Sequence, residues 1–106
     1  MTKAIYILFL KHPEGILLNE LYKYEDELFT IYKTISYQIS LDKMKNSVRE
    51  LLANDKAIFV HFSRIKSAFR ENFTNYHSKW YYIQGEKWQK KFIRLPSSKI
   101  FFCKEI

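Results

Sequence analysis

The sequence predicts a mainly helical α+β chain closed by a C-terminal β-hairpin. Three observations carry this. Apolar residues recur at helical spacing over most of residues 3–73. Beyond them the period changes to short aromatic runs of strand character. Only two glycines and two prolines occur, which disfavours a many-turned all-β chain. A length of 106 residues supplies one core and not two, so a single domain over 1–106 is expected.

Ile5, Leu8 and Phe9 share one face of a short helix over residues 3–12, ended by Pro13 and Gly15. A run this short also suits a buried strand. Leu18, Leu21, Leu28, Tyr32, Ile35 and Ile39 then form one stripe over 18–37, as one helix or as two with a kink. Ser40 suits the N-cap of a third helix with Leu41, Met44, Val48, Leu51 and Leu52 as its apolar face, ending at Asn54-Asp55. Lys56 to Phe62 reads either as an extended link or as the first turn of a fourth helix.

That fourth helix is the informative one. Phe62, Ile65, Phe69 and Phe73 stand at i, i+3, i+7 and i+11, one narrow stripe at about 100° per residue. Ser63, Arg64, Ser67, Arg70 and Glu71 project from the opposite side, with Lys66 at the edge. Lys79 to Gln84 and Lys90 to Leu95 then read as two strands joined through Gly85 and Glu86 to Gln89. Lys99 to Cys103 allows a last short strand.

Charge separates the two halves. The net charge is +7, but residues 1–55 hold seven Lys/Arg against eight Asp/Glu. Residues 56–106 hold eleven against three, and twelve of the nineteen aromatics. Basic residues interleaved with aromatics in one half point to a localised anion-binding surface.

Other classes find little support. The single cysteine, Cys103, excludes an intrachain disulfide and a thiolate zinc site. The apolar run Ala4 to Leu10 has seven residues, whereas a membrane span needs about twenty. A reduced, cytoplasmic protein with no membrane partner is the expectation. No Gly-rich phosphate loop, nucleophile elbow or His-Glu-x-x-His occurs, so neither an enzyme nor a cofactor is expected; a small basic nuclease stays open, because its catalytic carboxylates need not be adjacent in sequence. His12, His61 and His77 lack metal-ligand spacing and read as structural. Glu25-Asp26-Glu27 reads as a solvated helix face, because consecutive residues of a helix diverge.

Short helices followed by a twisted hairpin are the order of a winged helix-turn-helix. There the last helix enters the major groove, about 12 Å wide, and needs an outer side able to reach base edges. Ser63, Arg64, Lys66, Ser67 and Arg70 supply that side. Lys87, Lys90, Lys91 and Arg94 of the hairpin are placed to neutralise phosphates, and Trp88 to stack at its tip. The segment Val60 to Phe69 resembles the recognition helix of OmpR/PhoB-type effector domains, with their hydrophobic–Ser–Arg–hydrophobic–Lys/Arg pattern. Tyr81 to Leu95 stands where that family has its wing, with Gly85 alone in place of the usual glycine pair. No N-terminal four-stranded sheet is evident. The spacing of His12-Pro13-Glu14-Gly15, Tyr24 to Leu28, Ser63 to Lys66 and Tyr81 to Gly85 is also similar to that of small uncharacterised bacterial proteins. The resemblance implies duplex DNA as partner, read by a homodimer on two-fold sites, in transcriptional regulation or as a mobile-element accessory. Two other readings stay open. One is a protein-interaction module of the same fold. The other is single-strand binding by Trp80, Tyr81, Tyr82 and Trp88.

Overall fold

The N-terminal apolar run folds as helix α1, Thr2–Lys11, and occupies the middle of the core. Ala4, Ile5, Ile7, Leu8 and Phe9 are all buried. A helix packed on several sides has no polar stripe, which is why these apolar residues are nearly consecutive. The computed structural model describes residues 1–36, 40–72, 80–86 and 88–94, and within them the protein is mainly helical with one small antiparallel sheet.

The stripe that begins at Leu18 divides into a 3₁₀ segment, Leu18–Tyr24, and helix α2, Glu25–Ile35. Leu21, Leu28, Ile31 and Tyr32 are buried, while Ile39 lies outside the described residues. Glu25, Asp26 and Glu27 fill the first turn of α2, where carboxylates meet the positive end of the helix dipole.

Helix α3, Leu41–Leu52, starts as expected at Ser40, whose Oγ accepts from the Lys43 N–H at 3.3 Å. Met44, Val48 and Leu51 are buried, but Leu41 is 58% exposed, so the buried stripe begins one turn later than its spacing suggests. After Ala53 and Asn54 the chain enters helix α4, Asp55–Asn72. Asn54 supplies the start: its Oδ1 accepts from the Lys56 N–H at 2.9 Å and its carbonyl from the Ala57 N–H at 3.1 Å. Lys56 to Phe62 is therefore helical, and Asp55 opens α4 instead of closing α3.

On α4, Ile58, Phe62 and Ile65 are buried and Phe69 is half-buried. The apolar stripe is the one the sequence predicts, but its centre lies earlier than Phe69; Phe73 lies outside the described residues. Helix α4 packs on α1 and α3, and α1 packs on both α2 and α4. The Phe62 ring meets Phe9 edge-on at 5.6 Å. The central α1 thus lies between α2 and α4, while α3 packs directly on both.

Strands β1, Ile83–Gln84, and β2, Phe92–Ile93, pair antiparallel with Ile83 opposite Ile93 and Gln84 opposite Phe92. Both are shorter than their aromatic runs predict. Trp80 to Tyr82 forms a turn and bend, because Tyr81 is held otherwise. Its carbonyl accepts the Tyr6 hydroxyl at 2.7 Å, and its ring stacks on Phe69 at 5.4 Å. The predicted strand at 99–103 lies outside the described residues. Ile16 and Lys91 exchange two N–H···O bonds of 2.8 Å, so the chain just after α1 lies antiparallel beside β2. Gly15 permits that approach. It has φ +91, and a Cβ there would come within 2.9 Å of Lys90 Cβ and 3.1 Å of the Lys91 carbonyl.

Burial, with the neighbouring Tyr81 phenol adding to it, pushes the Tyr6 hydroxyl up to about 12 from its ordinary 10.0. The folded chain therefore holds this proton more tightly than the unfolded chain. The resulting stabilisation is complete below pH 10 and is lost as pH rises toward about 12. Tyr6→Phe is expected to cost about 0.5–1.5 kcal/mol at neutral pH. It should also flatten the fall of the melting temperature above pH 10. Parallel alkaline declines for both proteins would show that burial does not raise the Tyr6 hydroxyl, and equal stability at neutral pH that its bond to the Tyr81 carbonyl does not contribute.

Candidate nucleic-acid interface

The outer side of α4 carries Ser63, Arg64, Ser67 and Arg70, all exposed. At about 100° per residue, Arg64 and Arg70 stand about 60° to either side of Ser67. Short side chains occupy the middle of this face and long cationic ones its two margins. The face forms a shallow groove of about 450 Å³ lined by Val60, Ser63, Arg64, Ser67, Ala68 and Glu71. All six belong to α4, so no second described element covers it. Glu71 places one carboxylate at the far end.

Lys66 is turned away from that face. It is half-buried, with its Nζ 5.2 Å from the centre of the Tyr82 ring. On the opposite flank the His61 Nδ1 lies 2.7 Å from the Thr2 Oγ1. Burial first, then Arg64 and the chain's own amine, hold the His61 imidazole below its ordinary value. The Met1 amine is lowered likewise, by burial and then by Arg64. Arg64 therefore shares its margin of the face with the N-terminal amine.

The hairpin lies along the other margin. Tyr82 meets Lys66, and the loop residue Trp88 lines a pocket together with Phe59. Arg70 follows Lys66 by four residues, about 40° around the helix, and so stands on the hairpin side of Ser67. Arg64 lies about 160° from Lys66. Lys66 thus meets the hairpin through Tyr82, while Arg64 stands on the far side of the helix.

Each hairpin residue has its own setting. Lys90 is exposed, close enough to Glu14 to contribute to the lowering of that carboxyl, which is due first to its own backbone N–H. Lys91 is half-buried, and its Nζ donates to the Gly85 carbonyl at 2.8 Å and the Glu86 carbonyl at 3.2 Å. Its ammonium serves the loop first. Arg94 lies over the Trp80 ring at 5.7 Å. Trp88 is 82% exposed at φ +67. Lys87 lies outside the described residues. The aromatic run is less open than it reads: Tyr81 stacks on Phe69, Tyr82 lies under Lys66 and Trp80 under Arg94.

Sequence reasoning missed the groups that hold this arrangement together. Tyr6 and Ile16 reach the hairpin over long sequence separations, and no local pattern announces them. His12 ties the turn after α1 to α2, with Nε2 2.6 Å from Glu27 Oε2 and Nδ1 3.1 Å from Glu14 Oε1. Its ring packs edge-on against Tyr24 at 4.7 Å. Among the described residues no cluster of His, Cys, Asp and Glu is suited to a metal ion, and no helix is long and apolar enough to cross a membrane. No family model matches the chain, and neither a curated protein nor a solved structure is significantly similar to it.

Proposed function

We propose that the chain is a winged-helix protein that binds duplex DNA, a binding protein and not an enzyme. In this reading α3 and α4 form the helix-turn-helix, α4 enters the major groove and β1–β2 is the wing. The observation that carries it is the outer face of α4. Serines at its centre let a base edge approach closely, and arginines at its margins reach guanine edges or the phosphates of the groove walls. The antiparallel seat of Ile16 beside β2 adds a third strand position to the wing, which anchors it to α1. The resemblance of Val60–Phe69 to an OmpR/PhoB-type recognition helix points the same way. Lys90 and Arg94 act on phosphates, Lys66 and Lys91 hold the wing in place, and two copies would read a two-fold site. The covered faces of Trp80, Tyr81 and Tyr82 make single-strand stacking the weaker reading.

Titration of a random duplex at two salt concentrations tests this. With about four to five phosphate contacts, log K should fall against log salt with a slope of about −4. Lys90→Ala should weaken all sequences alike and reduce that slope by about one. Arg64→Ala or Arg70→Ala should instead relax sequence preference, by about 1–3 kcal/mol where the residue makes a bidentate base contact. Absence of duplex binding at low salt, or tighter binding of the single strand, overturns the reading.

A further inference from the structure

Three separate stretches of chain wall an apolar pocket of about 450 Å³ that the proposed DNA face does not use. Leu17 and Leu18 come from the start of the 3₁₀ segment, Asp55 and Phe59 from the first turns of α4, and Trp88 and Lys91 from the hairpin. Small-molecule sites have volumes of about 300–1,000 Å³ and mostly apolar walls with a few placed polar groups. Two aromatic side chains are exposed here, Phe59 at 47% and Trp88 at 82%. Trp88 also holds φ +67, a conformation that a bulky residue adopts only where its surroundings impose it. The loop thus sets an indole at the pocket's mouth against local backbone preference.

Charge selects the ligand. Asp55 is exposed and makes no ion pair among the described residues. The cation that lines the same pocket, Lys91, is drawn onto the carbonyls of Gly85 and Glu86. That ammonium keeps its charge but is turned to the loop, so among the described lining residues Asp55 is the charged group with no bond holding it away from a ligand. We infer that this pocket binds a small molecule with an aromatic ring and a protonated amine. The ring packs on Phe59, Trp88 and the two leucines, and the ammonium faces Asp55 with the exposed aromatic side chains beside it. An aromatic acid of the same size would meet the carboxylate with like charge.

The test uses the full chain, tryptophan fluorescence, and phenethylamine with phenylacetate as its anionic counterpart. Phenethylamine should change the emission saturably below about 10 mM, the range of a weak fragment. Trp88→Phe should remove that change, which separates Trp88 from Trp80. Phenylacetate should bind more weakly, by about two- to fivefold, as expected for an exposed ion pair. Asp55→Asn should bring the two ligands to near parity, and Phe59→Ala should weaken both. Both side chains are exposed, so melting curves should be unaltered; Phe59→Leu replaces Phe59→Ala if they are not. No saturable change, equal binding of amine and acid, or a preference that survives Asp55→Asn overturns the inference. No nucleic acid enters the measurement, so its failure leaves the DNA reading standing, and the converse holds.

Discussion

Phe9→Ala is expected to be among the most destabilising single substitutions in the protein. The Phe9 side chain is 0% exposed, lies on the central helix and meets Phe62 edge-on at 5.6 Å. Removing a ring from such a site forfeits its transfer free energy and leaves a cavity, at a cost of about 3–5 kcal/mol. A domain of this size has only about 5–15 kcal/mol of stability in all. At about 4–8 °C per kcal/mol, the melting midpoint should fall by at least about 12 °C. Binding should be lost together with the fold. Ser67→Ala, on the exposed face of α4, should stay within about 0.5 kcal/mol of the unaltered chain. Thermal melts of the two variants separate core from surface. If Ser67→Ala proves the more damaging, α4 is inverted and the proposed groove is buried.

The second large effect is expected at Gly85. Its φ is +152, and an added Cβ would stand 2.5 Å from the Lys90 carbonyl oxygen and 3.2 Å from the Lys91 Cα. These are backbone atoms that cannot rotate aside. Gly85→Val therefore adds strain of about 1–3 kcal/mol at that φ and a further penalty of about 1–3 kcal/mol for forcing atoms into occupied space. The loop has to open, which breaks the bond from the Lys91 Nζ to the Gly85 carbonyl. Amide exchange gives a local readout. The Lys91 N–H, bonded to the Ile16 carbonyl at 2.8 Å, should lose protection, while the core of α1 keeps most of its own. Unchanged protection at Lys91 would show that β2 does not depend on this glycine. Under the proposed function the same variant should also weaken duplex binding, since the wing would no longer lie beside α4.

Much of the helical framework is legible in the sequence, because a helix is built from contacts three and four residues apart. The period of Met44, Val48 and Leu51, the cap at Ser40, and the opposition of Phe62 and Ile65 to Ser63 and Ser67 all follow from local spacing. The break near residue 25 and the start of α4 were open choices, since propensity alone does not separate a kinked helix from two, or a link from a first turn. Tertiary structure decides the rest through groups far apart in the chain. The Tyr6 hydroxyl takes the Tyr81 carbonyl and shortens β1 from the aromatic run to two residues. Ile16 pairs with Lys91, which only the glycine at 15 allows. Lys91 reads as one more surface cation, yet the loop carbonyls claim its ammonium. The charge pattern showed that the basic residues belong to the second half. Only the packing of the hairpin against α4 determines that Lys66 meets Tyr82 while Arg64 stands near the N-terminal amine, because the direction of a side chain depends on which face its neighbours cover.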